Sequence, residues 1–171
     1  MVTPFDGENR IDLETTRRLI DHLIEEQASD SIVVCGTTGE SPTLTDEEKL
    51  ELFRLAVEHA AGRCRIIAGT GSNDTAHSIH LTKEAEKIGV DGILLVSPYY
   101  NRPTQRGLYR HFRAIAEATS LPVMLYNVPK RTGVNLEAET VIRLAQDVPN
   151  VTSVKEATND ITQATRIIRE T

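Results

Sequence analysis

Lys155 is the first side chain of this 171-residue sequence whose type and place could do chemistry. It ends the run Val151-Thr152-Ser153-Val154-Lys155, in which Val151, Ser153 and Lys155 would share one face of a strand. Two readings are open: a lysine reaching from a strand end into water, or an amine held away from water. Burial disfavours the ammonium form, and a neutral amine attacks a ketone to give a Schiff base. Ser153, one step deeper, would leave room for a small substrate. Tyr126 ends an earlier apolar run, 122–126, and either packs with one hydrogen bond or moves protons. The residues after it, Asn127-Val128-Pro129-Lys130-Arg131-Thr132-Gly133, bring an arginine that can grip a carboxylate through two parallel bonds. A third segment, Gly36-Thr37-Thr38-Gly39-Glu40-Ser41, combines glycines that admit a ligand near the backbone with hydroxyls that donate and accept protons.

Other chemistries fit less well. No Lys follows Gly39, so the segment is not a nucleoside-triphosphate loop. Gly69-Thr70-Gly71 begins like a dinucleotide fingerprint, but the third glycine is missing and Asp91 precedes a strand instead of following one. His77 and His80 share a helix face, with no acidic or cysteine partner evident beside them, so no metal is expected. Cys35 ends one strand and Cys64 begins the next, which puts them ~15 Å or more apart in parallel strands, too far for a disulfide.

The elements that must hold these residues alternate. Apolar runs at 31–35, 65–68, 92–96, 122–126 and 151–155 read as strands covered on both faces, with Met1 to Phe5 as the remnant of another. Between them lie helical stripes: Leu13, Ile20, Leu23 and Ile24; Leu52, Leu55, Ala56 and His59; Leu81, Ala85 and Ile88; Leu108, Phe112 and Ile115; Val141, Leu144 and Ala145; and Ile161, Ala164 and Ile168. Thr45 with Glu48 predicts a capping box, and Gly62 and Gly89 predict helix stops. This makes six βα units whose long polar segments, 36–44, 69–73, 97–104 and 127–135, all follow strands. An α/β barrel places its chemistry there. A doubly wound parallel sheet is the rival architecture. A barrel closes with eight units in typically ~250 residues, so the expectation is a partial barrel over residues 1–171 that lacks its last two units.

Nineteen Lys and Arg against 25 Asp and Glu give a net charge of -6 with no basic block, which argues against nucleic acid or an anionic membrane as partner. No apolar run approaches the ~20 residues of a spanning helix. With no leader-like start and only two cysteines, the cytoplasm is the expected compartment.

Taken together these motifs resemble the dihydrodipicolinate (4-hydroxy-tetrahydrodipicolinate) synthase family of pyruvate-dependent class I aldolases, over the whole chain from Val2-Thr3-Pro4-Phe5 to the last helix. The specific ones are Gly36-Thr37-Thr38-Gly39-Glu40-Ser41, and Tyr126-Asn127-Val128-Pro129 leading through Arg131-Thr132-Gly133 to Val154-Lys155-Glu156-Ala157. Gly69-Thr70-Gly71-Ser72-Asn73 and Pro98-Tyr99-Tyr100-Asn101 match as well. Related lyases such as N-acetylneuraminate lyase share the Tyr and Lys, but the Tyr-Tyr-Asn loop and Arg131 look more like the synthase. The resemblance implies a (β/α)8 TIM barrel followed by a small helical domain absent here, assembled as a homotetramer. It implies condensation of pyruvate with L-aspartate 4-semialdehyde, without a cofactor, at the entry to lysine and diaminopimelate biosynthesis. Lys155 would form the imine, and Tyr126, Thr37 and Tyr100 would relay protons, Tyr100 from a neighbouring subunit. Thr38 would hold the pyruvate carboxylate and Arg131 that of the semialdehyde. The alternatives are an inactive or partner-dependent fragment, or a related aldolase. In lysine-inhibited members the effector site would involve Ser41, Asn73 and Tyr99. Asp46, Lys49 and His77 stand here where the sensitive type has two His and a Glu, so feedback by lysine is expected to be weak or absent.

Overall fold

The computed structural model describes all residues, Met1–Thr171. It is an α/β chain of two compact units, Met1–Gly69 with Glu84–Gly92, and Thr70–Lys83 with Ile93–Thr171. No helix is long and apolar enough to cross a membrane.

The first unit carries α1 (Leu13–Glu25), β1 (Ser31–Val34), α2 (Asp46–Ala60) and β2 (Arg65–Gly69). Asp12 caps α1 by accepting from Thr15 N, and the expected Thr45–Glu48 box caps α2 in both directions. Helix α2 ends at Ala61 in the left-handed region, followed by Gly62 at φ 77°, the stop that the glycine announces. Strands β1 and β2 pair in parallel, Ile32 with Ile66 and Val34 with Ala68, and Ile20, Leu52, Phe53 and Ala56 are fully buried.

The second unit contains most of α3 (Thr75–Ile88) and of β3 (Gly92–Val96), then α4 (Gln105–Ala116), β4 (Val123–Asn127), α5 (Pro129–Thr132), α6 (Ala138–Asp147), β5 (Val151–Glu156) and α7 (Ile161–Glu170). Strands β3, β4 and β5 pair in parallel. Their runs of Ile, Leu and Val at consecutive positions are what two covered faces require. Leu108, Phe112 and Ile115 of α4 and Leu144 of α6 are fully buried, as their spacing implies.

Four expectations are corrected. Met1 to Phe5 is not a strand, so there are five βα strands and not six. Phe5 makes a single antiparallel bridge to Ile11, and the terminal amine donates to Val33 O at 2.8 Å. Pro4 has no N–H to offer a ladder, and Asp6 turns the chain by accepting from Glu8 N and Arg10 N. Val151 does not share a face with Ser153 and Lys155. A bulge pairs Val151 with Val123 but Ser153 with Met124, so the extra residue turns Val151 to the opposite face. The polar segment after Tyr126 contains the short helix α5, begun by Pro129 and ended by Gly133 at φ 75°. The stripe of α7 is not a core face: Ile161 and Ile168 are 79% and 80% exposed, and Ile167 is the buried residue.

His111, on α4, is 6% exposed, and its Nδ1 lies 2.8 Å from Thr75 Oγ1. Burial outweighs the attraction of Asp74 and pushes its imidazole from the ordinary 6.5 down to about 4. The unfolded chain therefore binds more protons between those values, and stability falls as pH drops from 6.5 towards 4. In the variant His111→Gln, the stability lost between pH 7 and 4 should shrink by up to about 3 kcal/mol, read by denaturant titration at each pH. An unchanged acid dependence would place its source elsewhere.

Candidate active site

Strands β4 and β5 bring Lys155 and Tyr126 together. The two residues are directly paired in the register, one residue short of the C-terminal ends of their strands. Lys155 Nζ lies 4.2 Å from the centroid of the Tyr126 ring, within reach of a cation–π contact. Ser97 fixes the tyrosine from β3's end: its N–H donates to Tyr126 O at 2.9 Å and its hydroxyl to the same oxygen at 3.2 Å. Tyr126 is buried, but Lys155 is exposed, as is Ser153 on the same face. Of the two readings of Lys155, this chain shows the lysine that reaches from a strand end into water. What the sequence anticipated correctly is its place at a strand end, beside a tyrosine and above a small residue.

Arg131 sits on α5, five residues after Tyr126, with its side chain exposed. The sharp turn from β4 into α5 is anchored by backbone bonds from Arg131 N and Thr132 N to Val128 O. Tyr100 is 92% exposed and lies at φ 73°, and Arg102, two residues on, is at φ 46°. Such a backbone is costly for residues with a Cβ and is held here by bonds at the loop's edges. Asn101 Nδ2 donates to Asn73 O at 3.0 Å, and Arg102 Nε donates to Gly133 O at 2.9 Å.

In the first unit, Thr37 and Thr38 open a 3-10 turn, Thr37–Gly39, which tightens through Gly39 N to Gly36 O at 3.0 Å. Thr3 locks it by donating its hydroxyl to Gly39 O at 2.7 Å. Cys35, just before the turn, is at φ 54°, and its thiol is pushed up to about 12 by burial. Gly69 has no room for a side chain, since a Cβ there would sit on the Cys35 carbonyl. In the second unit a Cβ on Gly71 would come within 2.5 Å of Val96 N. The two glycines thus allow close passage of neighbouring strands, which accounts for the incomplete dinucleotide pattern.

Both cysteines are free thiols, and no cluster of three or more His, Cys, Asp or Glu is disposed to hold a metal. His77 Nδ1 lies 3.3 Å from Ser72 Oγ. Sequence reasoning passed over the polar groups behind the Lys155–Tyr126 pair: Asn127, Asn135, Glu156 and Gln163 are hydrogen-bonded to one another. The signal was available, for Asn127 follows Tyr126 and Glu156 follows Lys155 directly.

A model of the Dihydrodipicolinate synthetase family matches residues 1–171. The 4-hydroxy-tetrahydrodipicolinate synthase of Bacillus subtilis (strain 168) is 57% identical over 171 residues, which is all of this chain and 59% of that protein. That of Moorella thermoacetica is 56% identical over 170 residues, covering 99% of this chain and 58% of its own length. Among solved structures, dihydrodipicolinate synthase from Bacillus anthracis superposes with a TM-score of 0.97 at 52% identity, over all of this chain and 58% of that one. The enzyme from Cyanidioschyzon merolae, solved with lysine bound, gives 0.97 at 50% identity over 100% and 58% of the two chains. The chloride-inhibited synthase of Acinetobacter baumannii, solved in complex with pyruvate, gives 0.95 at 47% over 99% and 57%. This chain spans a little under three-fifths of the length of these relatives. With all of residues 1–171 matched by the family model, the chain belongs to the dihydrodipicolinate synthetase family.

Proposed function

We propose that Lys155 forms an imine with pyruvate, and that the protein condenses pyruvate with L-aspartate 4-semialdehyde to 4-hydroxy-tetrahydrodipicolinate, for lysine and diaminopimelate biosynthesis in the cytoplasm. No cofactor takes part in this reading. Nζ sheds a proton and attacks C2 of pyruvate, and the ketone oxygen leaves as water. The protonated imine draws electrons from the adjacent methyl group. A methyl proton passes to Tyr126 and its relay, leaving an enamine. The enamine carbon bonds to the aldehyde carbon, whose oxygen takes up a proton. The amine of the semialdehyde then displaces Nζ, which closes the ring and frees Lys155. One water is released overall.

The observation that carries this reading is the Lys155 amine set 4.2 Å over the Tyr126 ring, in direct register at the ends of two adjacent parallel strands. The strand register itself sets the nucleophile beside the phenol ring. Family membership and the pyruvate complex of the Acinetobacter baumannii relative support the substrate. Thr37 and Tyr100 complete the proton relay, Thr38 holds the pyruvate carboxylate and Arg131 that of the semialdehyde. The exposed Tyr100 serves a neighbouring subunit of a homotetramer. Residues 1–171 make up the larger part of the barrel in this reading, and the remaining units and a helical domain belong to the whole enzyme. Mass spectrometry after incubation with both substrates tests it: the cyclic product should form, and N-acetylneuraminate should remain uncleaved. Cleavage of the sugar acid without condensation would assign the related aldolase activity instead.

Lysine should inhibit poorly. Lys49 is 8% exposed and is paired to Asp46 Oδ1 at 3.5 Å, so a cationic amino acid would meet a buried positive charge. Isothermal titration with lysine should show binding in the millimolar range or weaker, on the order of -4 kcal/mol. Micromolar binding would contradict it.

A further inference from the structure

We infer that Asn127, Glu156 and Gln163 are positioning residues that set the Lys155–Tyr126 pair from the far side of the sheet; the inference rests on the imine reading above. Asn127 and Glu156 immediately follow the two reacting residues and are paired with each other in the register. Successive side chains of a strand point to opposite faces, so both lie behind the pair. Below them on that face the strands carry Val123, Leu125, Val151 and Val154, and the face turns from apolar to polar only at the level of the pair.

The polar cluster is fully connected. Asn127, 0% exposed, directs Nδ2 towards Asn135 Oδ1 at 2.8 Å, Leu136 O at 3.1 Å, and Glu156 Oε2 and Oε1 at 3.1 and 3.2 Å. Its Oδ1 accepts from Leu136 N at 2.9 Å. Glu156 Oε1 accepts from Thr158 N at 3.0 Å, and Oε2 accepts from Gln163 Nε2 at 3.0 Å. Gln163, on α7, closes the circuit by accepting from Asn135 Nδ2 at 3.0 Å. Ala157 N donates to Asn127 O at 2.9 Å, joining the two strand ends through the backbone as well. Glu156 is thus held by neutral donors alone, an arrangement that fixes direction and that no charge neutralisation would require. Buried apolar residues would cover the sheet at lower cost in desolvation. The gain from polar groups here is a fixed spacing and twist of the strand ends, and so a fixed position of Nζ against the phenol ring.

Because every partner of Glu156 is a donor, Glu156→Gln must turn an NH2 group against a donor. Gln163→Glu sets a second carboxylate against the first. The double variant Glu156→Gln/Gln163→Glu restores a donor facing an acceptor between the two side chains, while the bond from Gln163 Nε2 to Leu136 O at 3.2 Å stays lost. The measurement is single-turnover imine formation with pyruvate, alongside near-UV circular dichroism. Each single variant should slow imine formation by about ten- to a hundredfold, with pyruvate affinity within about threefold, since misplacement by a fraction of an ångström acts on the reacting geometry. The double variant should be faster than the slower single variant by about threefold or more. Parent-like rates in both single variants, or a double variant as slow as the two losses multiplied, would overturn the inference. If Glu156→Gln does not fold, Gln163→Met decides alone: a slowed rate in a folded protein supports positioning, and an unchanged rate overturns it. A parent that forms no imine would overturn the imine reading and take this inference with it. An imine-forming parent with parent-like variants overturns this inference only.

Discussion

Replacing Lys155 with Ala or with Arg should abolish covalent trapping of pyruvate. Alanine has no amine, and the guanidinium of arginine stays protonated and delocalised at any working pH, so neither can attack a ketone. Turnover should fall by at least about a thousandfold, because a covalent route removed whole is not replaced by binding and orientation. Tyr126→Phe is the informative companion. It keeps the ring under Nζ but deletes the hydroxyl, so imine formation should be slowed by about 10²–10⁴, the range of general acid–base catalysis, while the adduct still accumulates. Both effects are read by borohydride reduction followed by intact-mass analysis. Full trapping in Lys155→Ala would move the imine to another amine, and Lys130 on α5 would be next to examine.

Arg131→Ala should separate the two substrates. The side chain is exposed on a short helix that begins two residues after β4, and in the proposed reading it contacts only the second carboxylate. Pyruvate trapping should therefore stay near the parent level, while KM for the semialdehyde rises. Loss of one charge-assisted pair desolvated by bound substrate should cost about 2–5 kcal/mol, split between KM and kcat according to how much of it is made only in the transition state. Steady-state kinetics with each substrate varied in turn supply the test. An equal loss of trapping would show that Arg131 shapes the pocket instead of reading the aldehyde.

Much of this arrangement was legible in the residues alone, for local physical reasons. Consecutive apolar positions announced β3 and β4, the Thr45–Glu48 box announced α2, and Gly62 and Gly89 fell at φ 77° and 93° where the helices stop. These signals are written within a few residues of the structure they produce. What was missed depends on partners far along the chain. The bulge opposite Val123 is a property of the β4–β5 pairing, and nothing in Val151-Thr152-Ser153 alone reveals it. Ile161 and Ile168 have core-like spacing on α7, but a residue's neighbours decide which stripe is covered, and here Ile167 is seated instead. Lys155 and Tyr126 were visible as a pair from their positions at strand ends. The exposure of Lys155 was not, since burial belongs to whatever stands opposite. The circuit of Asn127, Asn135, Glu156 and Gln163 joins residues up to 36 positions apart and resembles loop polarity until the pairing of Asn127 with Glu156 is known.

Direct identification of the reacting amine tests the central claim most plainly. The chain is incubated with pyruvate, reduced with borohydride, digested and mapped by tandem mass spectrometry, with an unreduced sample in parallel. The account predicts one reduced pyruvate adduct on the peptide that contains Lys155, present only after reduction and suppressed when Tyr126 lacks its hydroxyl for short incubations. A folded protein with no adduct, or with adducts scattered over the exposed lysines in proportion to their accessibility, would contradict it.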